Sequence, residues 1–193
     1  MSLLRSFIAI EIPLEIQQNI YKETSNFRRE IDGLVRWVPA ENMHLTLKFL
    51  GDVSPSNVEF LMQMLRNEAD NVNGFTIHLT GLGSFPSLKR PRVIYIAIHA
   101  PAGLEALHRG IESASRRLGY ESEERPFSPH LTMGRVKQNI SAVEQQKIRR
   151  CIEGIQVDVL GTARVDSVHL YKSELKPSGS VYTRLYSAPL RKN

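Results

Sequence analysis

The chain has 193 residues, 41% of them hydrophobic and 23% charged, the values of an ordinary globular protein with enough apolar material for a substantial core. The formal net charge of +5 and pI of about 9.5 favour an anionic partner, while the single cysteine, Cys151, excludes an intramolecular disulfide framework. No apolar run approaches the roughly 20 residues of a membrane-spanning helix, so a soluble protein of the reducing cytoplasm, without a membrane partner, is expected.

The first element is the apolar run in "MSLLRSFIAIEIP", bracketed so tightly by Arg5 and Glu11 that a buried strand is expected and not a signal peptide. Pro13 suits the first position of a helix, predicted to run to about Ile31 with Ile16, Ile20, Phe27 and Ile31 near one face. "LVRWVP" then leads into the strand "MHLTLKFLG". Ser54 and Pro55 signal an N-cap and the start of a helix with the stripe Val58, Leu61, Met62 and Leu65. "FTIHLTGLG" alternates as a strand.

The order then starts again. "YIAIHAP" from Tyr95 matches "FIAIEIP" from Phe7, an offset of 95 − 7 = 88, and a helix from Ala102 to Leu118 follows. "HLTM" at 130 matches "HLTL" at 44, an offset of 130 − 44 = 86, and Ser141 with Glu144 forms a capping box for the next helix. "GIQVDVLG" from Gly154 matches "GFTIHLTG" from Gly74, an offset of 154 − 74 = 80. Three similarities in one order indicate a duplicated β-α-β-α-β unit. The repeats cover about 5–83 and 92–161, and a C-terminal β-hairpin is expected over about 163–190. The polar loop "GYESEERPFSP" is the segment most suited to mobility.

The tripeptide His-Leu-Thr occurs at His44, His78 and His130. Only His44 and His130 occupy equivalent repeat positions, as do Thr46 and Thr132; His78 aligns with Asp158 and Thr80 with Leu160. Residues i and i+2 of a strand share a face roughly 7 Å apart, so each histidine has its threonine beside it. If the halves face each other, two imidazoles and two hydroxyls converge. Near neutral pH one imidazole can take a proton from water while the other protonates a leaving oxygen, and the hydroxyls can donate to phosphate oxygens. No metal is required, and the histidines lack companions at metal-ligand spacing. His99 and His169 are unpaired by the repeat, His108 is expected on a solvated helix face, and Cys151 is expected in packing with Ile148 and Ile152.

Two HxTx tetrads, "HLTL" (44–47) and "HLTM" (130–133), in duplicated halves resemble the 2H phosphoesterase superfamily. The closer resemblance is to the RNA 2',3'-cyclic phosphodiesterases, also called 2'-5' RNA ligases. It rests on "RSFIAIEIP", "VRWVPAENMHLTLKFLGDV", "GLGSFP", "PRVIYIAI", "ERPFSPHLTMGRV" and "SELKPSGSVYTRL", which span nearly the whole chain. The resemblance implies one bilobal α+β domain over 1–193, with two antiparallel sheets flanking a central cleft and helices on the outside. It implies hydrolysis of RNA 2',3'-cyclic phosphate ends to 2'-phosphates without metal; no cofactor and a monomer are expected. His44 is then the proton donor to the 3'-oxygen and His130 the acceptor from water, with Thr46 and Thr132 holding the phosphate; the repeat symmetry alone does not assign that order.

The same resemblance points to Phe49 for base stacking and Arg135 for the nucleotide. An offset of five from each histidine puts both on the opposite strand face, so a bulge, a twist or the strand's end is needed to bring them round. Lys48 shares parity with His44 and is a phosphate-attracting candidate. Trp37 and Phe127, just before the tetrads, are candidates to wall the cleft. Two alternatives carry over: reversible ATP-independent 2'-5' ligation, and an RNA-end or nucleotide-binding module without turnover, against which both intact tetrads argue.

Overall fold

The apolar runs of the sequence become nine strands of an antiparallel sheet system in a computed structural model, which describes residues 2–155, 159–177 and 179–192. The strands are β1 (Leu4–Glu11), β2 (Val35–Trp37), β3 (His44–Val53), β4 (Phe75–Ser87), β5 (Arg90–His99), β6 (His130–Val136), β7 (Val159–Val165), β8 (Ser167–Lys176) and β9 (Gly179–Pro189). The helices are α1 (Leu14–Glu23), α2 (Ser25–Glu30), α3 (Val58–Asp70), α4 (Ala102–Arg117) and α5 (Ala142–Gly154).

The strand order is β7-β4-β5-β6-β3-β1-β8-β9, with β2 added on β6. It divides into two four-stranded antiparallel halves, β7-β4-β5-β6 and β3-β1-β8-β9. They meet where β3 passes β6, and Leu45↔Leu131 is the pair in register there. Both leucines are fully buried. The helices pack on the outside through Ile20 of α1, Leu61 and Leu65 of α3, Leu104, Leu107 and Ile111 of α4, and Ile148 and Ile152 of α5. Removing this apolar surface from water is the main favourable term holding the layers together.

The structure redraws two local expectations and bears out a third. The helix predicted from Pro13 to Ile31 is split at Thr24, whose hydroxyl bonds back to the Ile20 carbonyl at 2.6 Å and competes with the helical ladder. Ser54 does not cap α3: Pro55 starts a short 3-10 turn, Asn57 takes the N-cap position, and the Ser54 hydroxyl bonds Ser56. Ser141 and Glu144 do form the capping box, with the Glu144 amide donating to Ser141 Oγ and the Ser141 amide to Glu144 Oε2.

The third match of the repeat places its strands differently in space. β7 lies directly against β4, with Thr76↔Arg164 and Thr80↔Val159 in register. The place that β4 takes beside β5 is taken beside β1 by β8. The strand equivalent to β4 in the second half is therefore the first strand of the hairpin, which begins at Ser167 and not at 163. Residues 163–165 belong to β7, and Asp158, the aligned partner of His78, lies outside the described residues.

Gly134 fixes how closely β2 seats on β6. A Cβ there would meet Val35 Cγ1 at 2.5 Å and the Trp37 ring at 2.9 Å, with the Arg36 carbonyl at 3.1 Å. Gly134→Ala is expected to cost about 2 kcal/mol in urea unfolding through this overpacking; an unchanged midpoint would show that β2 can move aside freely.

Candidate active site

Both tetrads open their strands at the join between the halves. Outward from Leu45↔Leu131, the antiparallel register sets His44 towards Thr132 and Thr46 towards His130. Leu45, Leu47, Leu131 and Met133 are buried on the helix side, and the two histidines and two threonines share the cleft face, half-buried.

The tautomers are set by the backbone. His44 Nδ1 lies 2.8 Å from the Asn42 carbonyl and His130 Nδ1 lies 2.7 Å from the Ser128 carbonyl, two residues upstream in each case. A carbonyl only accepts, so each Nδ1 carries the hydrogen and each Nε2 is the acceptor nitrogen of the neutral ring. Burial pushes the His44 pKa below the ordinary histidine value; the Asn42 carbonyl raises it in part, and the positive charge of His130 lowers it further.

Aromatic rings hold both imidazoles. Phe7 stacks on His44 at 4.8 Å, Tyr182 meets it edge-on at 5.1 Å, and Tyr171 stacks behind Phe7 at 5.3 Å. On the other side Phe85 meets His130 edge-on at 4.9 Å, Tyr95 lies at 5.4 Å, and these two rings stack at 4.3 Å. Sequence reasoning did not single out these rings. The signal was present for two of them, because Phe7 and Tyr95 head the matched "FIAI" and "YIAI" runs.

Matching bulges decide the remaining candidates. On β3, Thr46 pairs with Ala9 and Lys48 with Ile8, leaving Leu47 as an extra residue; on β6, Thr132 pairs with Tyr95 and Gly134 with Ile94, leaving Met133 extra. The bulge turns residues 47–48 and 133–134 both towards the core. It also brings Phe49 and Arg135 back to the histidine face. Phe49 is 69% exposed, 6.3 Å from Phe7. Arg135 is exposed in register with Arg36 and Val93.

Lys48 is the correction. It is only 4% exposed, pairs with Glu112 of α4 at 2.8 Å and donates to the Glu121 carbonyl, so the bulge has taken it out of the cleft. Trp37 packs edge-on against Phe27 at 5.9 Å, and Phe127 lies flat on His108 at 3.8 Å; neither ring is stacked beside the histidine pair. His108 is thereby half-buried, with its pKa lowered chiefly by desolvation. His169 is buried beside Ser167 Oγ at 3.2 Å. Cys151 is half-buried with Sγ 3.3 Å from Glu30, and burial pushes its thiol pKa up. His78, on β4, is two strands from β6, opposite His99 and 3.1 Å from Thr162 Oγ1. Among the described residues no three His, Cys, Asp or Glu side chains converge as a metal site, and no helix is long and apolar enough to cross a membrane.

Two histidines on adjoining strands, each with Nδ1 held by a backbone carbonyl and a threonine two residues on, form a set suited to acid–base chemistry on a phosphate ester. The family described as LigT like phosphoesterase matches the chain twice, over residues 10–95 and 96–182, and the chain belongs to that family. The second match runs through β8 into β9. The chain is 30% identical over 179 residues to an RNA 2',3'-cyclic phosphodiesterase of Methanothermobacter thermautotrophicus, covering 93% of this chain and 95% of that relative. It is 32% identical over 179 residues to a protein of the same name from Methanocaldococcus jannaschii, covering 93% and 96%. Its fold is similar to that of TT0787 of Thermus thermophilus, at a TM-score of 0.81 and 27% identity over 97% of this chain and 98% of that one. E. coli LigT complexed with 3'-AMP gives a TM-score of 0.78, also at 27% identity, with coverage of 97% and 98%.

Three measurements check this electrostatic picture. Titrated by NMR in the free protein, the His44 imidazole is expected to charge only below the ordinary value of about 6.5, and inorganic phosphate in the cleft should move its midpoint up. Because the unfolded chain takes that proton first, stability should fall as the pH drops from about 6.5 through the folded-state midpoint. A midpoint at or above 6.5 would contradict the desolvated site. Lys48→Met, which leaves Glu112 without its cation, should lower unfolding free energy by about 2–3 kcal/mol while substrate KM stays within twofold.

Proposed function

We propose that this protein hydrolyses RNA 2',3'-cyclic phosphate ends to 2'-phosphomonoesters by metal-independent acid–base catalysis between His44 and His130. The observation that carries the reading is the paired backbone contact: both Nδ1 atoms are committed to carbonyls two residues upstream, which leaves both Nε2 atoms available for proton transfer. The naming of the archaeal relatives as RNA 2',3'-cyclic phosphodiesterases and the 3'-AMP complex of E. coli LigT support the substrate class.

Neutral His130 takes a proton from water at Nε2, and the water oxygen attacks phosphorus. The P–O3' bond breaks, and protonated His44 gives its Nε2 proton to the departing 3'-oxygen, leaving a 2'-phosphate and a 3'-hydroxyl. Thr46 and Thr132 donate to the non-bridging oxygens as charge gathers there. The lowered pKa of His44 makes it a strong acid once charged, and the anionic substrate favours that charging. Phe49, exposed beside Phe7, offers a face for the base, and Arg135 offers a cation for the nucleotide.

His44→Ala and His130→Ala should each lower turnover of a cyclic-phosphate oligonucleotide about 1,000-fold with the fold retained by circular dichroism. 31P NMR in EDTA should show a 2'-monoester as product. A 3'-monoester would contradict cleavage of the P–O3' bond, loss of activity with EDTA would overturn metal independence, and near-normal rates in either variant would end the paired scheme.

A further inference from the structure

On β6 the two residues after the bulge point to opposite sides, and β2 copies that pattern. Val35 lies across from Val136 and Trp37 from Gly134, all on the buried side, while Arg36 lies directly across from Arg135. Side chains of a directly opposed antiparallel pair share a face, so Arg36 emerges on the cleft face beside Arg135. Both are exposed, and among the described residues no carboxylate lies within salt-bridge distance of either guanidinium. Like charges directly opposed on a sheet are destabilising unless something anionic is placed between them.

The register continues the row onto the site. Arg135 is opposite Val93 of β5, and Val93 is opposite Phe85 of β4, whose ring contacts His130. The arginine pair thus stands three residues along β6 from Thr132, roughly 10 Å at the backbone, at the rim of the cleft on the His130 side. Buried Val35 and the packed Trp37 hold Arg36 in place from behind. Lys89, Arg90 and Arg92, in the β4–β5 hairpin next to this row, and Lys137, just beyond β6, add further positive charge at the same end of the sheet.

We propose that Arg36, paired with Arg135, forms a subsite for the phosphodiester on the 5' side of the reacting nucleotide, so that the protein distinguishes an RNA end from a free cyclic mononucleotide. Two guanidinium forks on one anion give charge-assisted, bidentate contacts to its non-bridging oxygens. The contact is with the backbone and carries no base preference. It rests on the functional reading above, in which the cyclic phosphate occupies the gap between the tetrads.

The test compares a nucleoside 2',3'-cyclic phosphate, which lacks a 5'-phosphate, with a dinucleotide ending in the same cyclic phosphate. Arg36→Ala should lower kcat/KM for the dinucleotide at least tenfold more than for the mononucleotide, mainly through KM, with Arg36→Lys recovering part of the loss. The slope of log KM against log salt for the dinucleotide should fall by about one in Arg36→Ala. Replacing the internucleotide phosphate by a neutral methylphosphonate should cost the wild type a similar factor and Arg36→Ala little more. Equal losses on both substrates, no loss on either, or additive losses with the methylphosphonate would each overturn the subsite. Should the wild type turn over neither substrate, the hydrolase reading fails separately; equilibrium binding of a 3'-phosphorylated dinucleotide to wild type and Arg36→Ala then decides the subsite, with equal affinities overturning it.

Discussion

The contact between Leu45 and Leu131 is the constraint on which the site depends. Each leucine is the second residue of its tetrad, and each is fully buried where β3 passes β6. In a strand, burying one residue turns its two neighbours to the opposite face. One apolar contact therefore aims four side chains, His44, Thr46, His130 and Thr132, into a common gap. Under the proposed reaction, the equivalent positions of the two histidines would let an attacking and a leaving oxygen on opposite sides of a phosphorus atom each meet an imidazole.

A second local device governs the strand beyond each tetrad. The bulges at Leu47 and Met133 interrupt alternation at the same point in both halves. Without them Phe49 and Arg135 would be buried under the helices and Lys48 would enter the cleft. With them, a lysine in one half and a glycine in the other face inwards. Lys48 finds Glu112, and Gly134 leaves room for β2. The two halves thus share a backbone irregularity and use it differently: one ties a strand to α4, the other accommodates an extra strand that brings Arg36 to the rim.

The environment of the histidines is apolar on its flanks and cationic at one end. Rings from Phe85 and Tyr95 flank His130, and those of Phe7 and Tyr182 pack on His44 and help remove it from water, in keeping with the direction of its shift. The charge of the chain, +5 in total, is expressed near the site as arginines without acidic partners among the described residues. An anion reaching Arg36 and Arg135 would meet guanidinium groups that no carboxylate neutralises among the described residues, and the protein would gain more from its binding than a neutralised surface could.

The sequence by itself determined the periodic parts of this protein. Alternation, repeated order and the equivalence of His44 with His130 are local or one-dimensional properties, and they placed the strands, the capping box and the four tetrad side chains. They also separated His78 from its identical tripeptides. Tertiary structure decided what depends on partners distant in the chain. The bulges exist only relative to β1 and β5, so neither the return of Phe49 and Arg135 to the cleft nor the burial of Lys48 was readable from parity. β7 and β8 both follow α5 in the chain, and only sheet pairing shows that β7 lies beside β4 and β8 beside β1. The aromatic rings around the imidazoles, and the meeting of Arg36 with Arg135 across almost a hundred residues of chain, exist because separate strands were brought into register. Register is a property of the assembled sheet.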